Sequence, residues 1–216
     1  SFSVPAGSFF GVVGLSGSGK TTLISLLLRF YEPQRGRILI DGEDIREIPL
    51  SVLRHRVAAV FQDVHIFKGS VAENISLFNP LITRNGVEEA ARTAKIAPFI
   101  EKLPQQYDTK AGYLGSSLSS GQRQLLSFAR ALATPADLLI LDEATSSIDS
   151  HTEHLVQQAM EQAAAQRTLL VVAHRLSTIV KADCILFMHQ GRVVERGSHD
   201  ELMALAGRYS RLFRSQ

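Results

Sequence analysis

Short apolar runs recur along the chain, and they predict buried β-strands. The first run, Phe9–Val13, ends at a glycine-rich segment. Two further runs, residues 137–143 (DLLILDE) and 168–174 (TLLVVAH), stay apolar until their final polar residues. Uninterrupted runs are typical of central strands in a parallel sheet, because both faces of such strands are buried. A strand and turn are predicted at residues 37–42, and shorter strands at residues 57–62, 184–188 and 192–195.

The middle of the chain follows the periodicity of helices. Between residues 63 and 135 the strand-like runs vanish, and VEEAARTAKIAPFIEKL and GQRQLLSFARALA space their apolar residues as amphipathic helices do. The sequence therefore predicts a single α/β domain over residues 1–216. Its core would comprise residues 1–64 and 132–216, with a helical subdomain inserted at about 65–131.

Two helices near the carboxyl end are predicted to begin with capping boxes. Ser150 is followed three residues later by Glu153, and Ser198 is followed by Glu201 at the same spacing. In such a box each of the two side chains accepts a hydrogen bond from the backbone N–H of the other residue, which stabilises the start of the helix.

Composition limits the partners and the compartment of the chain. Of its 216 residues 45% are hydrophobic, which is enough for a substantial core. Lys and Arg total 23 against 21 Asp and Glu, so no excess of charge favours nucleic acid or an anionic membrane surface. The single cysteine, Cys184, excludes a disulfide within the chain and fits a reducing compartment. No apolar run reaches the roughly 18 residues that a membrane span needs.

The segment GLSGSGKTT, residues 14–22, has the spacing of a phosphate-binding loop. It follows the first predicted strand and precedes a helix predicted over residues 20–31, a context that a chance glycine loop lacks. Glycines let backbone N–H groups surround an anion, and a helix N-terminus attracts negative charge. Lys20 can reach the β- and γ-phosphates of a nucleotide, and the Thr21 hydroxyl can hold Mg²⁺. The predicted nucleotide contacts are Gly14, Ser16, Gly17, Ser18, Gly19, Lys20, Thr21 and Thr22.

Polar residues at the ends of apolar runs are the candidates for catalysis. Asp142 and Glu143 end one run, where their carboxylates would emerge at the carboxyl edge of a parallel sheet. We interpret Asp142 as a metal ligand and Glu143 as the group that polarises an attacking water. The alternative is that both acids merely end a strand. His174 is either a catalytic residue or an ordinary histidine, and Gln62 is a candidate contact for Mg²⁺ or for the attacking water.

A second segment, LSSGQ at residues 118–122, also looks like a phosphate site. It opens a predicted helix with small polar residues, and Ser119 and Gly121 offer a hydroxyl and an N–H to an anion. One domain of this size thus holds two predicted phosphate-binding segments. The order of the motifs along the chain indicates why a single domain would need both.

In this order the segments resemble the nucleotide-binding domain of ATP-binding cassette (ABC) transporters, over essentially the whole chain. GLSGSGKTT looks like the Walker A motif of that family and LLILDE like its Walker B motif. LSSGQ is similar to the signature motif, the most specific of the set because other P-loop proteins lack it. VFQD is similar to the glutamine loop through Gln62, SSID at residues 146–149 to the D-loop, and AHR to the histidine switch at His174.

The resemblance implies an α/β fold with a P-loop NTPase core, a mostly parallel sheet, an inserted helical subdomain and a truncated antiparallel β subdomain. It also implies a head-to-tail dimer with a second ABC domain, of the same or another chain. Each ATP would lie between the Walker A motif of one domain and the signature of the other. The implied signature contacts are Ser119, Ser120, Gly121 and Gln122. The implied catalytic residues are Glu143, His174 and Gln62, and the implied Mg²⁺ ligands are Thr21, Gln62 and Asp142.

HIFKGSVAENI and RLSTI look most like the exporter branch of the family, whose membrane domain is usually fused on the N-terminal side. We therefore expect the chain to be a piece of a longer protein. It would be an ATPase that drives transport from the cytoplasmic face of the cell membrane. Its partners would be a transmembrane domain, of the same or a partner chain, and a second ABC domain, with no nucleic acid. The transported substrate would be chosen in the membrane domain.

Three features depart from the family pattern. Ser120 stands where the signature usually has its first glycine, and its small side chain should still allow a close approach. Tyr113 stands where exporters usually carry Glu, so we do not expect the inter-domain contact normally made there. The family's adenine-stacking aromatic residue lies further upstream than the thirteen residues that precede Gly14, so we expect it before Ser1.

Other classes of P-loop protein fit the motifs less well. A DNA-repair ABC ATPase would split its cassette with a long coiled coil, and a translation ABC ATPase would carry two cassettes in tandem. These non-transport ABC ATPases are the main alternative. A P-loop kinase or a GTPase would not account for LSSGQ or His174. A catalytically inactive binding module is a third alternative, and the presence of Glu143 and His174 argues against it.

Overall fold

A computed structural model of the chain describes residues 1–61, 63–111, 118–142, 149–173 and 175–215. The chain forms two compact units. We call residues 1–58, 136–143 and 167–216 the core unit, and residues 59–135 and 144–166 the helical unit.

The main sheet is mixed but mostly parallel. Among the described residues its six strands are β1 (Phe9–Val13), β4 (Val57–Val60), β5 (Leu138–Asp142), β6 (Thr168–Val172), β7 (Cys184–His189) and β8 (Arg192–Gly197). Their order across the sheet is β4-β5-β6-β1-β7-β8. Strand β6 runs parallel to β5 and β1, and β1 runs parallel to β7, whereas β7 and β8 form an antiparallel hairpin. The predicted α/β fold with a mostly parallel sheet is confirmed.

The central strands owe their place to their apolar runs. Every residue of β1 after Phe9 is buried, and Leu139, Ile140 and Leu141 of β5 have no exposed surface. A small antiparallel pair, β2 (Leu39–Ile40) and β3 (Glu43–Asp44), forms a separate sheet. Residues 37–42, predicted as a strand and turn, contain the strand Leu39–Ile40 and, at Asp41 (φ 52°) and Gly42 (φ 87°), the turn of this hairpin.

The first helix of the core unit is shorter than the sequence predicts. Helix α1 ends at Leu27, not at residue 31, because Arg29 adopts a left-handed backbone (φ 52°) and donates to the carbonyl oxygens of Ile45 and Ile48. Phe30 and Tyr31 therefore lie beyond the helix and are exposed. The helices of this unit are α1 (Lys20–Leu27), α2 (Leu50–Arg56), α8 (His199–Ala204) and α9 (Arg208–Arg214), with a 3₁₀ turn at Leu176–Ile179.

The helical unit packs around one long helix. Its helices with described bounds are α3 (Val71–Ser76), α4 (Arg84–Thr93), α5 (Ala97–Ile100), α6 (Ser120–Ala133) and α7 (Ser150–Ala164), with a 3₁₀ turn at Gln106–Asp108. Helices α3, α4 and α7 all pack against α6, which buries Leu126, Phe128 and Ala129. Within the described ranges, no helix of either unit combines the length and the apolar character that crossing a membrane requires.

Only one of the two predicted capping boxes forms. Ser198 and Glu201 cap α8 reciprocally, as predicted. The box predicted at Ser150 is wrong: Asp149 is the N-cap residue of α7, and its Oδ1 accepts from the N–H of Thr152 at 3.0 Å. Aspartate is as good an N-cap as serine, so a helix start one residue earlier costs little.

Candidate functional site

The carboxyl ends of the central strands meet at one edge of the sheet. Val12 of β1 lies opposite Val172 of β6, and Val172 lies opposite Asp142 of β5. Asp142, the last residue of its strand, is therefore two strands from β1, about 10 Å across the sheet. Beyond Val13 the chain enters the loop of residues 14–19, which starts at the same edge.

The loop of residues 14–19 depends on its glycines. A Cβ on Gly14 would clash with the carbonyl oxygen of Met188, so only glycine fits at this position. Gly19 is the N-cap of α1 and adopts a left-handed backbone (φ 102°), which favours glycine. Replacing either glycine with another residue would therefore distort the backbone of the predicted phosphate-binding loop.

The start of α1 is built to receive an anion. Its N-cap Gly19 has no side chain to bond the first-turn N–H groups, and such groups have no acceptor within their own helix. The ammonium of Lys20 is buried across the loop and donates to the carbonyl oxygens of Gly14 (2.8 Å) and Leu15 (3.1 Å). A concavity of about 200 Å³ is lined by Ser16, Gly17, Ser18, Gly19, Lys20, Thr21 and Thr22. These residues fit the triphosphate of a nucleotide.

The turn that follows β7, the parallel neighbour of β1, supports the loop. Gly191, in the turn between β7 and β8, donates its N–H to the carbonyl of Ser18 at 2.9 Å. Gly191 Cα would also touch a Cβ on Gly19, at 3.4 Å. The apolar run that ends at HQGR indicates the turn. Nothing in the sequence indicates its contact with the loop, because that contact joins residues far apart in the chain.

Two of the three predicted Mg²⁺ ligands lie in the described part of this edge. Thr21 is exposed in the first turn of α1, and α1 packs against β5, whose last residue is Asp142. A hydroxyl and a carboxylate are oxygen ligands of the kind that Mg²⁺ prefers. The third predicted ligand, Gln62, lies outside the described residues.

The second predicted phosphate segment also sits at a helix start, in the helical unit. Ser119 is the N-cap of α6, and its Oγ accepts from the N–H of Gln122 at 3.1 Å. Oε1 of Gln122 accepts in turn from the N–H of Ser119 at 3.0 Å. Ser119 and Ser120 are exposed, whereas Gly121 is buried against Thr152. The Ser119 hydroxyl still has its proton to donate, but the side-chain Oε1 of Gln122 already accepts a hydrogen bond within the cap.

The remaining candidate site residues are not among those that the structure describes. Glu143 and His174 lie outside the described residues, as do Tyr113 and residues 146–148 of the D-loop segment. Glu143 directly follows β5, and His174 comes two residues after the end of β6. Their predicted catalytic roles therefore stay predictions.

Comparison with known proteins decides the family. A protein-family model described as ABC transporter matches residues 1–146. The chain belongs to the ABC transporter family. Domains of this family bind ATP, so the concavity at residues 16–22 is the place where ATP binding is expected.

Within the ABC transporter family, the chain is similar to exporters. It is 51% identical over 213 residues to an ATP-dependent lipid A-core flippase of Chromohalobacter salexigens, covering 99% of this chain and 37% of the flippase. A flippase of the same name from Sodalis glossinidius is 48% identical over 217 residues, covering 100% of this chain and 37% of the flippase.

A solved structure of a bacterial Atm1-family ABC exporter with ATP bound is 43% identical, with a TM-score of 0.92 over 100% of this chain and 38% of the exporter. The chain thus spans less than two fifths of the length of these relatives. The predicted resemblance to an exporter-branch nucleotide-binding domain is confirmed, and the alternative of a non-transport ABC ATPase is not favoured.

Proposed function

We propose that this chain is the ATP-binding and ATP-hydrolysing domain of a lipid exporter, and that it dimerises around two ATP to drive transport across a membrane. The observation that carries the proposal is that the chain has two helix starts suited to anions, at Lys20 and at Ser120, in different units. One nucleotide needs only one P-loop. Two copies arranged head to tail would give each nucleotide one helix start of each kind.

In this proposal the start of α1 binds the phosphates. Lys20 and the first-turn N–H groups contact the β- and γ-phosphates, in the concavity that the loop forms. Thr21, Asp142 and Gln62 hold Mg²⁺, which when bound neutralises negative charge on the phosphates. Support for nucleotide binding comes from the exporter of 43% identity, whose structure has ATP bound.

Glu143, Gln62 and His174 carry the catalytic roles. Glu143 accepts a proton from the attacking water, Gln62 orients that water, and His174 acts as the histidine switch. The support is positional, since each of the three follows a strand of the main sheet along the chain. The Ser119 hydroxyl and the Gly121 N–H of the second domain donate to the γ-phosphate from the other side.

The transported substrate and the remaining partners follow from the relatives. Flippases of lipid A-core are about half identical to the chain, so we assign an amphipathic lipid as the substrate class. The partners are a second ABC domain and a transmembrane domain, in the same or another chain, with no nucleic acid. The domain would work at the cytoplasmic face of the cell membrane, where ATP is available.

The proposal is tested with Glu143→Gln in the full-length protein that carries this chain, reconstituted in lipid vesicles. Loss of a general base should slow ATP hydrolysis by about a hundredfold or more, while ATP binding persists. Transfer of a fluorescent lipid between leaflets should stop. Lys20→Ala should instead lose ATP binding, because it removes the ammonium that reaches the phosphates.

A matched control is Glu89→Gln, which makes the same chemical change at an exposed glutamate of α4. It should keep both hydrolysis and lipid transfer. Hydrolysis by Glu143→Gln at the wild-type rate would contradict the catalytic assignment. Lipid transfer that needs no ATP would contradict the exporter assignment.

A further inference from the structure

Residues 63–70, which precede α3, form no helix or strand, yet side chains hold their backbone at several points. Phe67 donates its N–H to Oδ1 of Asn74 at 2.9 Å, and its carbonyl accepts from Nδ2 of Asn74 at 3.0 Å. Nδ2 also donates to the carbonyl of Ser70 at 3.0 Å. Asn74 is fully buried. Backbone groups outside regular structure need such partners, and Asn74 provides them here.

Arg130 joins this network to helix α6. Its Nε and Nη2 donate to the carbonyl and to Oδ1 of Asn74, at 2.9 and 3.1 Å, and its Nη1 donates to the carbonyl of His65 at 3.0 Å. Its guanidinium carbon lies 5.1 Å from the centre of the Phe67 ring, within the range of a cation–π contact. The planar fork of arginine suits this set of acceptors, which the single ammonium of lysine cannot reproduce.

The partners of Arg130 indicate that its role is to hold a backbone segment in position. Among the described residues no carboxylate forms a salt bridge with Arg130, and the oxygens that accept from it belong to His65 and Asn74. Burial lowers the pKa of its guanidinium, so the contacts offset a cost of desolvation. An arginine held in this way fixes the position of a segment, and its removal leaves buried acceptors unsatisfied.

Arg130 lies at the opposite end of α6 from the signature residues. It is in the last turn of α6, whereas Ser119 caps the first turn, and the rise of a helix separates them by roughly 16 Å. We propose that Arg130 and Asn74 form a latch that fixes residues 65–70 to the carboxyl end of α6. This segment and the signature residues at the start of α6 would then move as one body.

The consequence for activity rests on the proposed function. Phe67 is 38% exposed although its backbone is held on both sides. A membrane domain that presses on this rigid aromatic would displace Ser119 through α6, and so align or misalign the second phosphate segment. Arg130 is in this sense a positioning residue, since in the described part of the chain its hydrogen bonds go to His65 and Asn74.

The test is Arg130→Lys in the full-length protein, with two measurements. Lysine keeps the charge but cannot bond three oxygens in one plane. Hydrogen exchange at the Phe67 amide, which donates to Asn74, should be about tenfold faster, as for a locally opened segment. The stimulation of ATP hydrolysis by transported lipid should fall about fivefold or more, the range of allosteric coupling, while KM for ATP stays unchanged.

Arg84→Lys is the matched control. Arg84 is in the same unit, and among the described residues its guanidinium donates to Glu88 and Asp108 and lies 4.9 Å from the centre of the Tyr107 ring. It should leave both measurements unchanged. If Arg130→Lys does not fold, Asn74→Asp serves instead: it keeps the acceptor for Phe67 and Arg130 and removes the donor, so exchange and stimulation should change in the same directions.

Three results would overturn the latch. The first is wild-type exchange at Phe67 in Arg130→Lys. The second is faster exchange with normal lipid stimulation, which would separate the segment from coupling. The third is an equal loss of stimulation in Arg84→Lys, which would indicate general loosening of the unit. If the wild-type protein hydrolyses no ATP, the proposed function fails, and the exchange measurement still decides whether the latch exists.

Discussion

Gly121 and Thr152 approach so closely that no side chain fits between α6 and α7 at this point. A Cβ on Gly121 would lie 2.5 Å from Cγ2 and 2.7 Å from Oγ1 of Thr152. Thr152 cannot easily move away, because its hydroxyl donates to Oδ2 of Asp149 at 2.7 Å and its branched side chain has few rotamers in a helix. The start of α7 therefore fixes the position of the signature residues at the start of α6.

Gly121→Ala should consequently destabilise the protein by about 1–3 kcal/mol, the usual cost of overpacking. Thr152→Ser removes the methyl group that would lie nearest to the new Cβ, so the double variant should be more stable than the sum of the two single effects predicts. Urea unfolding of the four proteins of this double-mutant cycle measures the difference, with an expected coupling of about 0.5 kcal/mol or more.

Gly86→Ala is the control for this cycle. Gly86 is also in a helix of the same unit, and a Cβ there would meet its nearest neighbours at 3.6 Å, an ordinary contact. Alanine should be neutral or stabilising at this position, because glycine costs about 0.5–1 kcal/mol in a helix. Strict additivity of the Gly121 and Thr152 effects would contradict the contact.

The cap of α7 should make stability depend on pH. The backbone N–H and the hydroxyl of Thr152 lower the pKa of the Asp149 carboxyl below its ordinary value. A lowered folded-state pKa stabilises the protein above the unfolded-state pKa of about 3.9, and the contribution is lost as the pH falls through the folded-state pKa. Asn caps helices equally well but does not titrate.

Asp149→Asn should therefore lose less stability on acidification than the wild type. Circular dichroism at several urea concentrations, repeated from pH 6 down to the acid limit of folding, measures both free energies of unfolding. Parallel curves for the two proteins over the whole range would show that Asp149 does not contribute in this way.

Tyr209→Phe should destabilise the core unit through a single lost hydroxyl. Tyr209 has no exposed surface, its hydroxyl lies 2.8 Å from Nδ1 of His199, and burial raises its pKa to about 12. The phenol is therefore protonated at neutral pH. Removing it takes a hydrogen-bond partner from His199, at a cost of about 1–2 kcal/mol. Tyr31→Phe, at a side chain that is 70% exposed, should be near neutral; equal effects in the two variants would count against the hydrogen bond.

Much of the core unit could be predicted because its strands are buried on both faces. The bounds of Phe9–Val13 match the prediction, and the runs that contain β5, β6 and β7 are strands in the structure. The Asp149 cap could not be predicted with the same certainty, because SSIDS offers several N-cap residues side by side. Several residues in that stretch are suitable N-caps. The hydrogen bonds between Asp149 and Thr152 favour Asp149 as the N-cap of α7.

The features missed by the sequence are contacts between distant residues. Nothing in the periodicity around Ser18 indicates the support from Gly191, and nothing around Phe67 indicates Arg130. The early end of α1 has the same origin, since Arg29 bonds the carbonyl oxygens of Ile45 and Ile48. The motifs themselves could be predicted because the chemistry of phosphate binding restricts residue type and spacing locally.

The central claim is that the two phosphate segments act across two chains, and mixed dimers test it. One chain carries Lys20→Ala, which breaks its Walker A motif and leaves its signature intact. The other carries Ser119→Arg, whose bulky side chain blocks the signature at the start of α6. Head-to-tail pairing of these two chains produces one site with both halves broken and one site with both halves intact.

The decisive measurement is the amount of ATP retained by tandem-purified mixed dimers of the full-length protein after rapid gel filtration with Mg²⁺. All chains also carry Glu143→Gln, so that retained ATP is not hydrolysed. The account predicts that each variant alone retains none and that the mixed dimer retains about one ATP, because one complete site forms between the two protomers. No retention by a folded mixed dimer, with normal retention by dimers that carry Glu143→Gln alone, would contradict the account.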